Sequence, residues 1–270
     1  MKITTYSTSG SKEDEVELPL VFSTPFRNDL LHKAYVNLES HRFQSQGRYE
    51  MAGMNVVARS NHPPTGHGQS RVARMRGGGG GRQGEGAQVA STRGGRQAHR
   101  PYSEKVVYKK LNKKENKLAL CSAIAATTSK ELVKSRGHKI EKIESFPIVV
   151  SDDIESISKA KDMEKFLDSL QLKPDIDRLR KRRIRSGKPS LRGRKTKVGK
   201  SVLFVAKDTK NLVMACGSFP GVDVRSLNEL SVLDLAPGAV PIRLTVFTKG
   251  AIQELSKIKS PHLELATTLT

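Results

Sequence analysis

Apolar and polar positions fall into blocks along the chain, and these blocks predict strands and helices in turn. Short, continuous apolar runs at residues 146–150 and 201–206 are typical of strands that are buried on both faces. Apolar residues at three- and four-residue spacing follow Thr24-Pro25 and recur over residues 161–171, which is the pattern of an amphipathic helix. Uniformly apolar strands that alternate with helices predict a mainly parallel sheet.

Weaker patterns give the other elements of this fold. Strands are predicted at residues 2–7, 16–18, 222–224 and 243–247, and helices at residues 112–136, 211–216, 230–235 and 251–258. Gly137 is expected to close the long helix, since glycine often follows a helix C-terminus. The predicted fold class is α/β: an open, mainly parallel sheet flanked by helices, which forms a single domain over residues 1–270.

The periodic pattern stops between residues 41 and 100. This stretch has ten Arg, no Lys, only two acids (Glu50 and Glu85) and thirteen of the chain's 22 Gly. Guanidinium groups pair with phosphate through two hydrogen bonds and stack on bases, and glycine lets a backbone pass close to a surface. We therefore predict a long irregular arginine- and glycine-rich loop excursion, an RNA-binding arm over residues 42–100. A flexible linker is the alternative interpretation.

A second basic block lies at residues 178–200, with twelve Lys or Arg and no acid. Together with the arm it accounts for much of the net charge of +21, which comes from 48 Lys and Arg against 27 Asp and Glu. Such a balance indicates a polyanionic partner. We predict that this block is an irregular RNA-binding segment. A DNA-binding protein would instead be expected to carry its base-reading side chains on one helix face.

Motifs for catalysis are absent or misplaced. Residues 193–201 resemble a phosphate-binding P-loop, but five residues separate the glycines instead of four, and the motif precedes a strand. Asp152-Asp153, with Ser151, is interpreted as the N-cap of the following turn. Cys121 and Cys216 are expected to be buried free thiols. We predict neither an enzyme, a cofactor nor a metal site.

A membrane is the competing polyanion. No apolar run approaches the roughly 20 residues that span a bilayer. The first residues also lack the apolar stretch of a signal peptide. The expected location is therefore the cytoplasm, with no membrane partner.

Several stretches resemble one family, the large-subunit ribosomal protein L-four family, in its archaeal branch. The resemblance covers essentially the whole chain, and the blocks occur in the same order. They are FSTPFRNDLL at 22–31, TGHG at 65–68, RQAHRP at 96–101, SLRGRK at 190–195, SVLFV at 201–205, LDLAPG at 233–238 and RLTVFT at 243–248.

This resemblance implies a structural constituent of the large ribosomal subunit that supports subunit assembly and translation. Its partners would be large-subunit ribosomal RNA and neighbouring ribosomal proteins, including the L-twenty-two family. The arm would line the nascent-peptide exit tunnel and meet the nascent peptide there. The tunnel-lining residues would be Arg71, Arg74, Met75, Arg76 and Arg82.

The full set of predicted RNA-binding residues joins the cations of both basic stretches. In the arm they are Arg48, Arg59, Arg71, Arg74, Arg76, Arg82, Arg93, Arg96 and Arg100. In the basic segment they are Arg182, Arg183, Arg185, Arg192, Arg194, Lys195 and Lys197. The alternative function is that of an RNA- or DNA-binding architectural protein outside the ribosome.

Overall fold

The structure is a computed structural model that describes residues 2–60, 66–76, 81–141, 143, 145–258 and 260–262. The chain divides into two units. The first, which we call the body, comprises Met1–Glu39 and Lys110–Thr270. The second, which we call the arm unit, is Ser40–Lys109.

Both units contain strands. Within the described residues these are β1 Lys2–Tyr6, β2 Lys12–Glu17, β3 Ala58–Arg59, β4 Arg74–Met75, β5 Ile148–Val150, β6 Arg183–Ile184, β7 Thr196–Lys197, β8 Leu203–Ala206, β9 Asp223–Ser226 and β10 Thr245–Thr248. Six of them form one sheet in the order β2-β1-β5-β10-β8-β9. The β1–β2 pair is antiparallel and the other four pairs are parallel.

Helices flank this sheet. The α-helices of the described residues are α1 Asn28–Ser40, α2 Lys113–Ala126, α3 Lys130–Ser135, α4 Ala160–Ser169, α5 Lys173–Asp177, α6 Lys188–Leu191, α7 Lys210–Cys216, α8 Val232–Leu235 and α9 Lys249–Leu255. Short 3₁₀ helices occur at Leu20–Ser23, Asp152–Ser156 and Pro237–Ala239. The predicted class, an open and mainly parallel α/β sheet with flanking helices, is confirmed.

The three central strands explain why the sequence adopts this sheet. Every residue of β5, β8 and β10 is buried. Strands without a polar face are stable only when helices cover both sides of the sheet, which favours parallel pairing. On α4, Met163, Phe166 and Leu167 are buried as the helical spacing predicts. The Phe166 ring packs against Phe204 of β8, with 6.4 Å between the ring centroids.

Strand β2 is longer and more polar than predicted. The apolar pattern indicated only residues 16–18, whereas the strand begins at Lys12 and has the sequence KEDEVE. It is the edge of the sheet and pairs with β1 as a hairpin, with Ile3 opposite Val16. An edge strand needs no second apolar face, and its charges keep another chain from pairing with it.

The single helix predicted over residues 112–136 is wrong, because the chain breaks between α2 and α3. The hydroxyls of Thr127 and Thr128 donate to the carbonyls of Ile124 and Ala125, at 2.7 and 2.8 Å. Such back-bonding competes with the helical backbone pattern and ends α2. Gly137 follows α3 with a φ of +92°, as predicted for a helix end.

Three polar residues, His138, Asp175 and Ser201, are buried where the chain enters β8 and β10. We call them the buried polar network. The Asp175 carboxylate accepts hydrogen bonds from His138 Nδ1 at 3.0 Å, the Ser201 hydroxyl at 2.5 Å and the Lys139 backbone N–H at 3.1 Å. The Leu244 backbone N–H donates to His138 Nε2 at 3.3 Å. The network therefore joins α5 to the segments that precede both strands.

Arg243 is fully buried beside this network. Its Nε donates to the Ser201 carbonyl at 2.5 Å, and its Nη2 donates to the carbonyls of Val202 and Gly221 at 3.0 and 2.7 Å. Its Nη1 lies 2.7 Å from Asp223 Oδ2, an ion-pair distance. Burial lowers the pKa of Arg243 and Asp223 opposes this shift, but an arginine remains charged in a folded protein.

The buried polar network predicts how the Asp175→Asn variant behaves. Burial alone would raise the pKa of Asp175, but the hydrogen bonds from His138, Ser201 and the Lys139 amide outweigh it and lower the pKa from 3.8 to about 2. At neutral pH we expect the variant to lose about 2–3 kcal/mol of unfolding free energy, because the charge that these donors stabilise is gone. Urea denaturation of both proteins measures the difference.

The pH dependence of that difference follows from the sign of the shift. A carboxyl group whose folded pKa is lowered stabilises the protein above pH 3.8, and this contribution disappears as the pH falls toward 2. The gap between wild type and Asp175→Asn should therefore close over that window. Asp177→Asn, on the same helix, breaks only an exposed ion pair with Arg180, so its gap should stay below about 1 kcal/mol throughout. A gap independent of pH would contradict an ionised Asp175.

Candidate nucleic-acid interface

The arm unit has a hydrogen-bonded stem that the sequence pattern did not predict. Strands β3 and β4 pair in antiparallel fashion, and a third stretch adds to β4. Met75 N–H donates to the Glu85 carbonyl at 2.9 Å, Gly84 N–H to the Met75 carbonyl at 3.0 Å, and Ala87 N–H to the Ala73 carbonyl at 2.8 Å. Two-residue strands are too short to show an alternating pattern, so the sequence indicated only an irregular loop.

Two glycines of the arm unit are required by its own backbone. A Cβ atom on Gly95 would lie 2.0 Å from the Val89 carbonyl oxygen. A Cβ atom on Gly53, whose φ is +80°, would lie 2.5 Å from the Gly95 carbonyl oxygen. The predicted role of glycine, close approach, therefore operates here between two parts of the arm unit. Most of the glycine run, residues 77–80, lies outside the described residues.

The predicted cations of the arm are mostly accessible to solvent. Part-buried side chains are Arg74, Met75 and Arg100. Exposed side chains are Arg48, Arg59, Arg71, Arg76, Arg82, Arg93 and Arg96. Most of these guanidinium groups are therefore open to a ligand from solvent.

Arg74 and Arg82 have contacts inside the arm unit. Arg74 Nη1 donates to the Gly84 carbonyl at 2.8 Å, while its buried Nε has no hydrogen-bond partner among the described residues. Arg82 forms an ion pair with Glu85 at 2.9 Å and donates from Nη2 to the Arg93 carbonyl at 3.1 Å. Both side chains thus brace the arm unit at Gly84, Glu85 and Arg93. Their guanidinium groups are only partly available for RNA.

A polar cavity of about 280 Å³ brings three predicted arginines of the arm together. Arg48, Arg96 and Arg100 line it. Arg48 donates to the Gln97 side-chain oxygen, and the Arg100 guanidinium lies 5.1 Å from the centroid of the Tyr102 ring. Arg48 and Arg96 are far apart in sequence. They share this cavity because the contact between Gly53 and Gly95 brings the two ends of the arm together.

The second basic stretch, residues 178–200, forms a short hairpin, which we call the basic hairpin. Strands β6 and β7 pair in antiparallel register, and helix α6 lies between them. The Arg185 N–H also donates to the Lys195 carbonyl at 2.8 Å. The expectation of an irregular segment is therefore wrong in part. As in the arm, each strand has only two residues, so no period was visible.

The basic hairpin places like charges opposite each other. Arg183 of β6 is directly across from Lys197 of β7. Cross-strand pairs of like charge are destabilising, and the hairpin has no acid of its own to offset them. A bound polyanion would remove this repulsion.

Among the described residues, the remaining predicted cations have no partner that competes with RNA. Their side chains form no hydrogen bond or ion pair with the residues that the structure describes. They are Arg59, Arg71, Arg76, Arg93 and Arg96 in the arm unit, and Arg182, Arg183, Arg185, Arg192, Arg194, Lys195 and Lys197 in the basic hairpin.

The body holds both ends of the basic hairpin. Arg178 Nη2 donates to the Lys200 carbonyl at 3.3 Å, so the first and last cations of the hairpin are in contact. Asp175 and Ser201, which flank the hairpin in the chain, meet in the buried polar network. The position of the hairpin therefore depends on buried groups of the body.

A second cavity, of about 220 Å³, lies at the root of the basic hairpin. It is lined by Arg136, His138, Arg178, Lys200 and Val240. None of these residues was among the predicted RNA-binding residues. Arg136 was missed because it stands alone at the end of α3, far from either basic stretch in sequence. The only signal was the basic block itself, which begins at Arg178 and ends at Lys200.

The carboxyl edge of the sheet, where α/β enzymes act, is occupied by structural hydrogen bonds. Asp152 accepts the N–H of Gly250, at the start of α9, at 2.6 Å. Glu155 accepts the Lys207 N–H at 2.9 Å and the Thr248 hydroxyl at 2.8 Å. Ser151 occupies the N-cap position of the following turn, Asp152–Ser156, as predicted, but no side chain there makes a capping hydrogen bond. Asp152 instead accepts from the first turn of α9, whose N-cap is Thr248.

The structure brings together a Ser, a His and an Asp, although the sequence suggested no such set. In a catalytic triad the histidine lies between the serine and the aspartate. Here Asp175 lies between His138 and Ser201, and all three are buried. Ser201 therefore donates to a carboxylate whose pKa is lowered to about 2 and not to a histidine, and its burial denies it access to substrate.

The two cysteines, Cys121 and Cys216, are buried and form no disulfide, as predicted. Burial raises the pKa of Cys216 to about 12. In the described part of the chain, no three His, Cys, Asp or Glu side chains are grouped to hold a metal ion. No helix there is long and apolar enough to cross a membrane.

Comparisons with known proteins agree with the resemblance seen in the sequence. The model of the family described as "Ribosomal protein L4/L1 family" matches residues 16–258. Three similar relatives are named "Large ribosomal subunit protein uL4". That of Methanococcus aeolicus is 42% identical over 258 residues, covering 95% of this chain and 99% of the relative. That of Pyrobaculum aerophilum is 43% identical over 256 residues, covering 94% and 89%.

The third relative, from Thermoplasma acidophilum, is 42% identical over 258 residues, which is 95% of this chain and 98% of the relative. All three organisms are archaea, so the archaeal resemblance is confirmed. The relatives are ribosomal proteins, so the expectation that the chain is not an enzyme is also confirmed. By the extent of the family match and by these identities, the chain belongs to the ribosomal protein L4/L1 family.

Proposed function

We propose that the chain is a structural component of the large ribosomal subunit that binds large-subunit ribosomal RNA through the arm unit and the basic hairpin. Its arm lines the nascent-peptide exit tunnel beside a protein of the L-twenty-two family, and the nascent peptide passes the arm there. The family membership and the names of the relatives support the subunit. The cationic surfaces support the RNA.

The observation that carries RNA binding is the set of cations without partners on a fixed backbone. Twelve predicted residues have no competing contact with the described residues, and the hairpin strands place two of them, Arg183 and Lys197, opposite each other. A surface used only for solubility would gain nothing from that juxtaposition. Phosphates of RNA relieve the repulsion and pair with guanidinium groups through two hydrogen bonds.

An architectural protein that binds DNA is the second candidate. The basic hairpin has no α-helix long enough to lie in a major groove, since α6 comprises only Lys188–Leu191. The arm unit has short strands and turns between its arginines. Irregular, arginine-rich surfaces suit the varied shapes of folded RNA better than a regular duplex. These features favour RNA.

The salt dependence of binding tests the role of the basic hairpin. Replacing Arg192, Arg194 and Lys195 together with Ala should make the slope of log K against log salt less negative by about 2–3, because each lost phosphate contact removes about 0.7–0.9. Filter binding to in vitro transcribed large-subunit ribosomal RNA measures that slope over a salt series.

The matched control removes three exposed lysines of the body, Lys161, Lys210 and Lys257, which lie on or just after helices outside the hairpin. This triple Ala variant loses the same charge, so a general effect of net charge would make its slope less negative by the same amount. We expect its slope to stay close to that of wild type. Equal slopes for the two triple variants would place the RNA-binding surface elsewhere.

The tunnel role is tested by a variant that leaves the arm stem intact. Arg71 and Arg76 lie on either side of β4, and their exposed side chains form no hydrogen bond or ion pair with the described residues, whereas Arg74 and Arg82 brace the arm unit. Arg71→Ala combined with Arg76→Ala should therefore preserve incorporation into the large subunit, because the β3–β4 ladder and its side-chain contacts are retained. It should change the response of isolated ribosomes to a stalling peptide, since the charge beside the nascent chain is removed.

The control for this test is Arg93→Ala combined with Arg96→Ala. It removes the same charge from the arm unit, away from the glycine run. It should weaken binding to ribosomal RNA without changing stalling. If the Arg71 and Arg76 double variant stalls like wild type, or if it blocks subunit formation, the arm serves RNA assembly and does not line the tunnel.

A further inference from the structure

The cavity at the root of the basic hairpin combines charge with partial burial. Its volume of about 220 Å³ exceeds that of a single water molecule, about 30 Å³ in the liquid, several-fold. Arg136, Arg178 and Lys200 line it, with His138 and Val240. These residues come from three separate parts of the body.

Arg136 is held in the cavity by neutral groups alone. Its Nη1 donates to the Val240 carbonyl at 2.5 Å and its Nη2 to the Pro237 carbonyl at 2.8 Å. Within the described residues, no carboxylate lies within ion-pair distance of it. Burial lowers the pKa of Arg136, and the positive charges of Arg243 and Arg178 lower it further. Two carbonyl bonds leave several of the five donors of the guanidinium for a ligand.

The charges around the cavity do not balance. Arg178 and Lys200 of the cavity, and Arg243 beside it, share only two carboxylates. Asp175 pairs with Arg178 at 3.1 Å, and Asp223 pairs with both Lys200 and Arg243 at 2.7 Å each. With Arg136 this makes four cations against two carboxylates. The excess of two positive charges favours an anion in the cavity.

The ring of His138 offers no hydrogen-bond donor to a ligand in the cavity. Its Nδ1 is directed to Asp175 and its Nε2 accepts the Leu244 N–H, so both nitrogens are occupied by protein groups. The ring forms a fixed wall of the cavity. An anion there would be held by Arg136, Arg178 and Lys200.

We propose that this cavity is a phosphate site, in which Arg136, Arg178 and Lys200 bind one backbone phosphodiester of the RNA that the basic hairpin engages. The proposal rests on the RNA binding proposed above and adds a site in the body to it. Arg178 and Lys200 are the first and last cations of the basic hairpin, so an RNA strand that follows the hairpin reaches the cavity directly. A free phosphate ion has the same chemistry and is the other possible source of the ligand.

The variant Arg136→Gln tests the site, since Gln retains a donor for the carbonyls but removes the charge. Binding to in vitro transcribed large-subunit ribosomal RNA should lose one phosphate contact. The slope of log K against log salt should become less negative by about 0.7–0.9. This corresponds to an about threefold smaller loss of affinity between 50 and 200 mM salt. Filter binding over a salt series gives the slope.

Two further variants make the result specific. Lys200→Gln alters an exposed side chain of the same cavity, so it tests the site even if Arg136→Gln does not fold. Its slope should become less negative by a similar amount. Lys134→Gln removes an exposed charge from the last turn of α3, two residues from Arg136 and outside the cavity. Its slope should match that of wild type.

A second arm of the experiment uses inorganic phosphate and the melting temperature of the full chain. Phosphate should raise the melting temperature of wild type and Lys134→Gln above that in chloride of equal ionic strength, and raise that of Lys200→Gln less. Stabilisation by phosphate with unchanged RNA slopes for both cavity variants would mean that the ligand is a free phosphate, which overturns the RNA assignment. Unchanged slopes without stabilisation would overturn the site itself.

Failure of the proposed RNA binding gives a different result. Wild type would then bind ribosomal RNA no better than an unrelated RNA of the same length, and its slope would not depend on Arg192, Arg194 and Lys195. In that case the phosphodiester assignment is also wrong. A third outcome is that wild type binds ribosomal RNA, the hairpin triple variant makes the slope less negative, and both cavity variants keep the wild-type slope. In that case only the proposed cavity site is wrong.

Discussion

The buried carboxylate of Asp175 is the constraint on which the rest of the body's cationic surface depends. The basic hairpin has twelve cations and no acid, so its own electrostatics oppose its folded shape. Its ends are fixed instead by groups that water cannot reach. Asp175 accepts hydrogen bonds from His138 and Ser201, and Arg243 donates to the carbonyls of Ser201 and Val202, just before β8. Removing the charge of this buried group costs about 2–3 kcal/mol, so the network holds the ends of the hairpin firmly.

This arrangement separates stability from binding. The apolar strands β5, β8 and β10 with their helices supply the folding energy, and the hairpin and arm unit carry charges that the fold does not neutralise. The arm unit follows the same principle with different means, since its backbone contacts at Gly53 and Gly95 fix the positions of its arginines. A member of a ribosomal protein family thus presents its cations on backbones that the protein itself holds in place.

The sequence predicted the sheet well because its central strands are apolar throughout, a signal that few other elements share. It also located both basic stretches, since composition alone separates them from the core. The apolar pattern missed three features: the break at Thr127 and Thr128, the charged edge strand β2, and the two-residue ladders β3–β4 and β6–β7. The break comes from local hydroxyl hydrogen bonds, to which apolar spacing is blind. The edge strand and the ladders depend on pairing with other segments of the chain. Dependence on other segments also hid Arg136, whose neighbours in the cavity come from other parts of the body.

A density map of the large ribosomal subunit that contains this chain tests the central claim most directly. The account predicts that the guanidinium groups of Arg183, Arg192 and Arg194 and the Lys197 ammonium lie within hydrogen-bond distance of RNA phosphates, while Asp175 remains buried with its partners. A map in which the basic hairpin faces solvent or contacts only protein would contradict the account.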